Sequence, residues 1–222
     1  IYPKEARGIR DLMRRRMSLV QVGAQQLICV QSQIWRTTGK RVSANQLRQP
    51  DFVPALPDRS TQLAVTSHLA VYRTLRNEIC QLEQAVLAAT RLRPEFEVLK
   101  TIKGIGPVLG LTIMLETGDI HRFPEVGDYS SYCRCVKAER LSNGKKKGTG
   151  NRKAGNKYLS WAFSEAAHFC IRFEPLARRF YERKRQKTNG IVAIRATAHK
   201  LARASYYMLK DQVPFDAQRL FV

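Results

Sequence analysis

Between Leu141 and Leu159 the chain reads Leu-Ser-Asn-Gly-Lys-Lys-Lys-Gly-Thr-Gly-Asn-Arg-Lys-Ala-Gly-Asn-Lys-Tyr-Leu. One serine, Ser142, stands at the mouth of a stretch that is rich in glycine and cations and has no acid and no histidine. A serine hydroxyl that attacks a phosphodiester forms a covalent phosphoserine link, which conserves bond energy for rejoining, and positive groups must surround its pentavalent transition state. Lys145, Lys146, Lys147, Arg152, Lys153 and Lys157 are of that type, Asn156 adds an amide, and the glycines permit close approach of backbone to a phosphate. With no base in the stretch, the proton must leave to a group elsewhere. The competing reading is a solvated basic loop with a serine that caps a turn.

A second candidate is Lys100-Thr-Ile-Lys-Gly-Ile-Gly-Pro-Val-Leu-Gly110. Gly104 and Gly106 frame a tight hairpin, and Pro107 opens the next helix at its favoured first position. Backbone amides at that helix start carry partial positive charge, so a helix-hairpin-helix contact to nucleic-acid phosphate is expected. The plain alternative is an ordinary pair of helices with a glycine turn. Cys133 and Cys135 are too close in sequence for the usual zinc spacing and have no second Cys or His pair nearby, so no metal site is expected. Arg195, Lys200 and Arg203 recur on one face of the last long helix, either to follow a phosphate backbone or to face water. Trp35 and Trp161 are expected in the core.

The whole chain agrees with a polyanionic partner. It has 222 residues, 39 Lys and Arg against 18 Asp and Glu, and a net charge of +21. Such an excess attracts nucleic acid at long range. A hydrophobic share of 44% still permits a buried core. No apolar run is long enough to cross a bilayer, and the five cysteines are an odd number in mostly apolar or helical settings, which implies reduced thiols and a cytoplasmic setting.

These candidates need a scaffold. The periodicity predicts a long basic helix from Lys4 to about Thr37, an extended connection through Pro50, Pro54 and Pro57, and a second helix from an Asp58 cap to about Arg93. On the second helix Val65, His68, Tyr72, Leu75, Ile79, Leu82, Val86 and Ala89 alternate three and four apart, a coiled-coil seam. Either the first helix or another copy of the chain would cover it. After Pro94 come the glycine hairpin, a short helix near Tyr129, the serine loop, and helices over 158–171, 175–187 and 191–209. The expected fold is therefore all-α: long helices and a coiled coil over 1–94, then a compact helical domain over 95–222.

The order of four segments, Lys100 to Gly110, Thr117-Gly-Asp-Ile-His-Arg-Phe-Pro124, Ser142-Asn-Gly-Lys145 and Arg152-Lys-Ala-Gly-Asn-Lys-Tyr-Leu159, resembles the C-terminal domain of DEDD insertion-sequence transposases of the one-ten family. The eleven-eleven subgroup, with its Piv-like relatives, fits best. Glu174-Pro175, Tyr181-Glu182-Arg183, Ala198 to Arg203 and Arg10 to Arg16 extend the resemblance over nearly the whole chain. It implies a recombinase guided by a non-coding bridge RNA that pairs with donor and target DNA. It also implies a preceding RuvC-like domain whose acids bind Mg2+, with none bound by this chain itself, and Ser142 as nucleophile, followed here by Asn143-Gly144 where many relatives have glycine at once. A homodimer or homotetramer, nucleoid association, and inactivity of this chain without the acidic domain are further expectations. A nucleic-acid-binding module that breaks no bond is the alternative.

Overall fold

The computed structural model describes residues 7–52, 54–90, 93–136, 139–149 and 153–222. It is built almost wholly of helices, and it divides into two compact units, Asp11–Val86 and a larger one formed by described residues of Leu87–Val222 with residues 7–10.

In the smaller unit, α1 (Arg7–Thr38) and α3 (Arg59–Thr90) supply the core. Leu27, Val30 and Ile34 of α1 pack with Val65, Leu69 and Tyr72 of α3. Their pairing is antiparallel: Arg16 meets Glu83 at 2.7 Å, and the Gln26 amide oxygen lies 2.7 Å from His68 Nδ1. The connection is not simply extended. It holds the short α2 (Ala44–Leu47), opened by a Ser43/Gln46 capping box, and Leu47 is buried beside Val42, Phe52 and Leu56. Arg73 donates to the Phe52 carbonyl and Gln31 to that of Val42, which fastens the connection onto both helices. Asp58 caps α3 as expected, accepting from the Ser60 and Thr61 amides, and these bonds hold its carboxyl below the usual range.

The seam of α3 is covered within the chain. Val65, Tyr72, Ile79 and Val86 are buried, while His68, Leu75 and Leu82 are half-buried. Each aliphatic side chain removed from water contributes roughly 1.5–3 kcal/mol, and α1 supplies such cover for Val65, Leu69 and Tyr72. Trp35 departs from expectation. It is 48% exposed, with the Arg41 guanidinium over its ring at 5.3 Å.

In the larger unit, α4 (Pro94–Lys100) and α5 (Pro107–Thr117) are joined by the glycine turn. Every residue of α5 from Leu109 to Thr117 is buried, because α7 (Lys157–Phe173) and α4 pack on it. A 3-10 turn at Ile120–Arg122 and α6 (Val126–Tyr132) follow. The Tyr129 hydroxyl lies 2.9 Å from that of Thr117, and Tyr206 donates to the carbonyls of Phe123 and Pro124. Helices α8 (Pro175–Lys187), α9 (Gly190–Asp211) and α10 (Ala217–Phe221) complete the unit. Asn156, Glu174, Asn189 and Asp216 cap α7, α8, α9 and α10 in turn.

The serine stretch differs from the loop that its composition implied. It is part of an antiparallel hairpin of β1 (Glu139–Ser142) and β2 (Lys145–Thr149). Asn143 and Gly144 form its two-residue turn with φ of 51° and 70°, the left-handed pair of a type I′ turn, for which Asn-Gly is the favoured sequence. The register slips between Arg140 and Leu141, so Lys147 bulges from β2.

Candidate nucleic-acid interface and serine hairpin

Ser142 is the last residue of β1, directly before the turn, and is exposed. Its cross-strand partner is Lys145. Lys145, Lys147, Lys153 and Lys157 are also exposed. The hairpin thus carries the Ser142 hydroxyl and the Lys145 and Lys147 ammonium groups exposed at and near its turn, while Lys153 and Lys157 follow it. Arg152 and the side chain of Lys146 lie outside the described residues.

What fixes the base of this hairpin was not anticipated. Arg134, itself at φ 55°, donates through Nε and Nη2 to the Gly155 carbonyl at 3.0 and 2.8 Å, and through Nη2 to the Lys153 carbonyl. Gly155 stands at φ +91°, where a Cβ would lie 2.6 Å from the Tyr132 carbonyl oxygen. Only glycine fits this crossing. One residue on, the Asn156 amide donates to that same carbonyl at 2.6 Å. From α9, Arg195 Nη1 donates to the hydroxyls of Ser164 at 2.9 Å and Ser160 at 3.3 Å, while Nη2 donates to the Arg134 carbonyl. The segments that flank the hairpin, at Arg134 and over 153–156, are therefore tied to each other and to α7 and α9.

Asn156 is a buried part of this base. Its Oδ1 accepts from the amides of Tyr158 and Leu159 at the start of α7, and its Nδ2 donates to the buried Glu116 at 2.6 Å and to Tyr132 at 3.3 Å. All of its side-chain polar atoms are engaged within the fold.

The glycine turn resolves into two different glycines. Gly104 has φ +103°, and a Cβ there would come 2.7 Å from the Cys170 amide nitrogen and from Phe169 Cβ. It lets the turn lie directly on α7. Gly106 is extended and faces open space, with nothing within 4 Å of a Cβ. It is also the N-cap of α5 without a side-chain acceptor, so the first amides of that helix have no cap from the fold. Beside the turn runs a groove of about 560 Å³, onto which the half-exposed Phe169 and Phe173 open.

Of the α9 cations, Arg195 serves the hairpin base, and Lys200 donates to the Leu220 carbonyl beneath the rings of Phe180 and Phe221. Burial, then Arg183 and Arg203, push the Lys200 ammonium below its usual range. Arg203 is exposed. Burial pushes the thiols of Cys135 and Cys170 up to about 11 and 12 and raises Cys133 as well, so all three are protonated near neutrality. Among the described residues, no three His, Cys, Asp or Glu side chains stand close enough to hold a metal ion, and no helix is long and apolar enough to cross a membrane.

A mainly helical unit thus carries an exposed serine and cations on one hairpin. Residues 96–182, from α4 to the middle of α8, match the transposase IS116/IS110/IS902 family. The chain is 31% identical over 149 residues to a Streptomyces coelicolor protein named as the transposase of the IS117 mini-circle, and 24% identical over 139 residues to the 43.6 kDa protein of insertion element IS110 from the same organism. These alignments cover 63% and 62% of the chain but 34% of either relative, so the chain spans about a third of the length of the curated relatives it matches. The chain is thus similar, over part of its length, to insertion-sequence proteins of the IS116/IS110/IS902 group.

Proposed function

We propose that this chain is the part of an RNA-guided insertion-sequence recombinase that supplies the serine nucleophile, Ser142, together with contacts to donor and target DNA and to a bridge RNA. The observation that carries this reading is the position of Ser142: exposed at the tip of the type I′ hairpin, opposite Lys145, inside the segment that matches the transposase family. The hydroxyl oxygen would attack the phosphorus of a DNA phosphodiester, its proton passing to a base outside the serine stretch, and the 3′ or 5′ oxygen would leave. Lys145, Lys147, Lys153 and Lys157 would offset charge as it builds on the phosphoryl oxygens. Gly104 and Gly106 would carry a separate backbone contact, with Gly106 the open member of the pair. Asn156 would act by holding the hairpin stem and α7 rather than by touching phosphate. The Mg2+ that the resemblance implies would be held by the acids of a RuvC-like domain, and no step of this chain's chemistry is assigned to it.

The test is Ser142→Ala in the full-length recombinase with its guide RNA. Strand exchange and the covalent protein–DNA adduct should vanish while DNA affinity stays within about twofold, because the cationic hairpin remains. Persistent recombination in that variant would reject the assignment and leave a nucleic-acid-binding module that breaks no bond.

A further inference from the structure

Helix α8 is joined to α7 by Glu174 alone, which ends one helix and caps the next. Along it lie Arg178, Arg179, Arg183, Lys184, Arg185 and Lys187, against a single acid, Glu182. All seven are exposed. The helix is held by a narrow stripe instead: Ala177 is buried, Leu176, Phe180 and Tyr181 are half-buried, and Phe180 packs against Phe221 with ring centroids 5.8 Å apart.

At 100° per residue, Arg178 and Arg185 fall at one edge of the outward face, about 10.5 Å apart along the axis, and Arg179 and Arg183 at the other, about 6 Å apart. None of the six cations forms an ion pair with a described residue. Cations in the last turn suit the helix dipole, but Arg178 and Arg179 stand towards the opposite end, where the dipole disfavours them. Arg179 and Arg183 are also like charges one turn apart, which works against the helix. Helix stability therefore does not explain this face. Its positive field reaches the neighbouring helix, since Arg183 adds to the effect of burial in lowering the Lys200 ammonium.

We propose that the outward face of α8 is a docking surface for the phosphate backbone of a DNA duplex, separate from the serine hairpin. This rests on the reading of the chain as one that handles nucleic acid. Four arginines in two rows match phosphate oxygens in bidentate fashion better than lysines would. A duplex carries a phosphate about every 3.4 Å of axis on each strand, so a rigid face 10 Å long meets several at once. A single strand is the poorer fit, because no fully exposed aromatic ring lies on this face to stack with bases. Such contacts hold and orient a duplex without reading its sequence.

The experiment measures binding of this chain to random-sequence duplex DNA, duplex RNA and a single strand across a salt series. The variants are Arg178→Ala/Arg179→Ala/Arg183→Ala/Arg185→Ala, the same four positions to Lys, and the hairpin variant Lys145→Ala/Lys147→Ala. Loss of each phosphate contact should flatten the slope of log affinity against log salt by about 0.9 for duplex DNA. The lysine variant should keep most of the slope, and the effects of α8 and hairpin variants should add. Arg183 also lies 3.5 Å from the Phe221 carbonyl, so Arg178→Ala/Arg179→Ala serves as a second variant that spares this contact. A flattened slope in the duplex DNA arm supports the surface, and a loss confined to duplex RNA overturns it. An unchanged slope in a variant that still melts cooperatively overturns it, as does a loss confined to the single strand. Hairpin variants that weaken binding while α8 variants do not would remove only this surface, whereas no effect from any variant would also undercut the nucleic-acid reading.

Discussion

Arg195 and Arg134 act in series: Arg195 donates to the main-chain carbonyl of Arg134, and the Arg134 guanidinium donates to the carbonyls of Lys153 and Gly155. One guanidinium on α9 thereby positions Arg134, which precedes the hairpin, and Arg134 positions Lys153 and Gly155, which follow it. The two serines of α7 that Arg195 also grips set the height of this clasp.

Arg195→Ala should loosen the hairpin stem and cost about 2 kcal/mol, as expected for charge-assisted hydrogen bonds whose acceptors are left unpaired. Arg195→Lys should recover less than half, because an ammonium cannot reach three acceptors in one plane. Urea melts give the stability change. Amide exchange resolved by residue should show the largest increase at Asn156, whose amide bonds across the stem; uniform acceleration over the whole unit would contradict the clasp.

Asn156→Ala should cost about 2–3 kcal/mol. It removes the cap of α7, typically worth about 1 kcal/mol, and strips the buried Glu116 of a donor at 2.6 Å. Thermal unfolding would detect it, and Asn156→Asp should be no better, since it sets a carboxylate against Glu116.

The two hairpin glycines should respond oppositely. Gly104→Ala should destabilise by several kcal/mol, because a left-handed backbone and a 2.7 Å clash with α7 coincide there. Gly106→Ala, at an extended position with open space around it, should leave the melting temperature within a few degrees. If Gly106→Ala weakens nucleic-acid binding without loss of stability, the open α5 start is a contact.

Leu75→Asp with Leu82→Asp should lower the melting temperature while leaving the sedimentation mass of this chain unchanged. Both side chains lie on the seam of α3, which packs along α1 within one chain. A fall in mass would show that a second copy covers part of the seam.

His199 gives a pH dependence. Burial first, then Arg203, lowers its pKa below 6.5. The unfolded chain therefore takes the proton more readily, and the contribution of this site is intact above about pH 6.5 and declines as pH falls from there towards the folded value. His199→Gln should flatten the stability profile over that window in denaturant melts; an unchanged profile would mean that other groups dominate it.

Much of this fold was legible in the sequence because it is written in local patterns. Apolar residues three and four apart gave α1, α3, α7 and α9, and Asp58 and Pro107 marked helix starts that the structure keeps. The hairpin was not read, although Asn143-Gly144 is its signature. Its strands, Glu-Arg-Leu-Ser and Lys-Lys-Lys-Gly-Thr, hold a single apolar residue, so no apolar alternation reveals a sheet face.

The sequence alone determined the charge, the helical periods and the presence of a serine among cations, since these depend only on residue types and spacing. Tertiary structure decided what each residue is used for. Gly104 and Gly106 look alike in sequence, yet one is pressed on α7 and the other is open. Asn156, placed with the cationic residues by its neighbours, is a buried cap, and Arg195 clasps the hairpin from 61 residues away. Those uses arise from contacts between elements distant along the chain. Close packing settles such contacts only once the whole unit has folded, and no local window of sequence contains them.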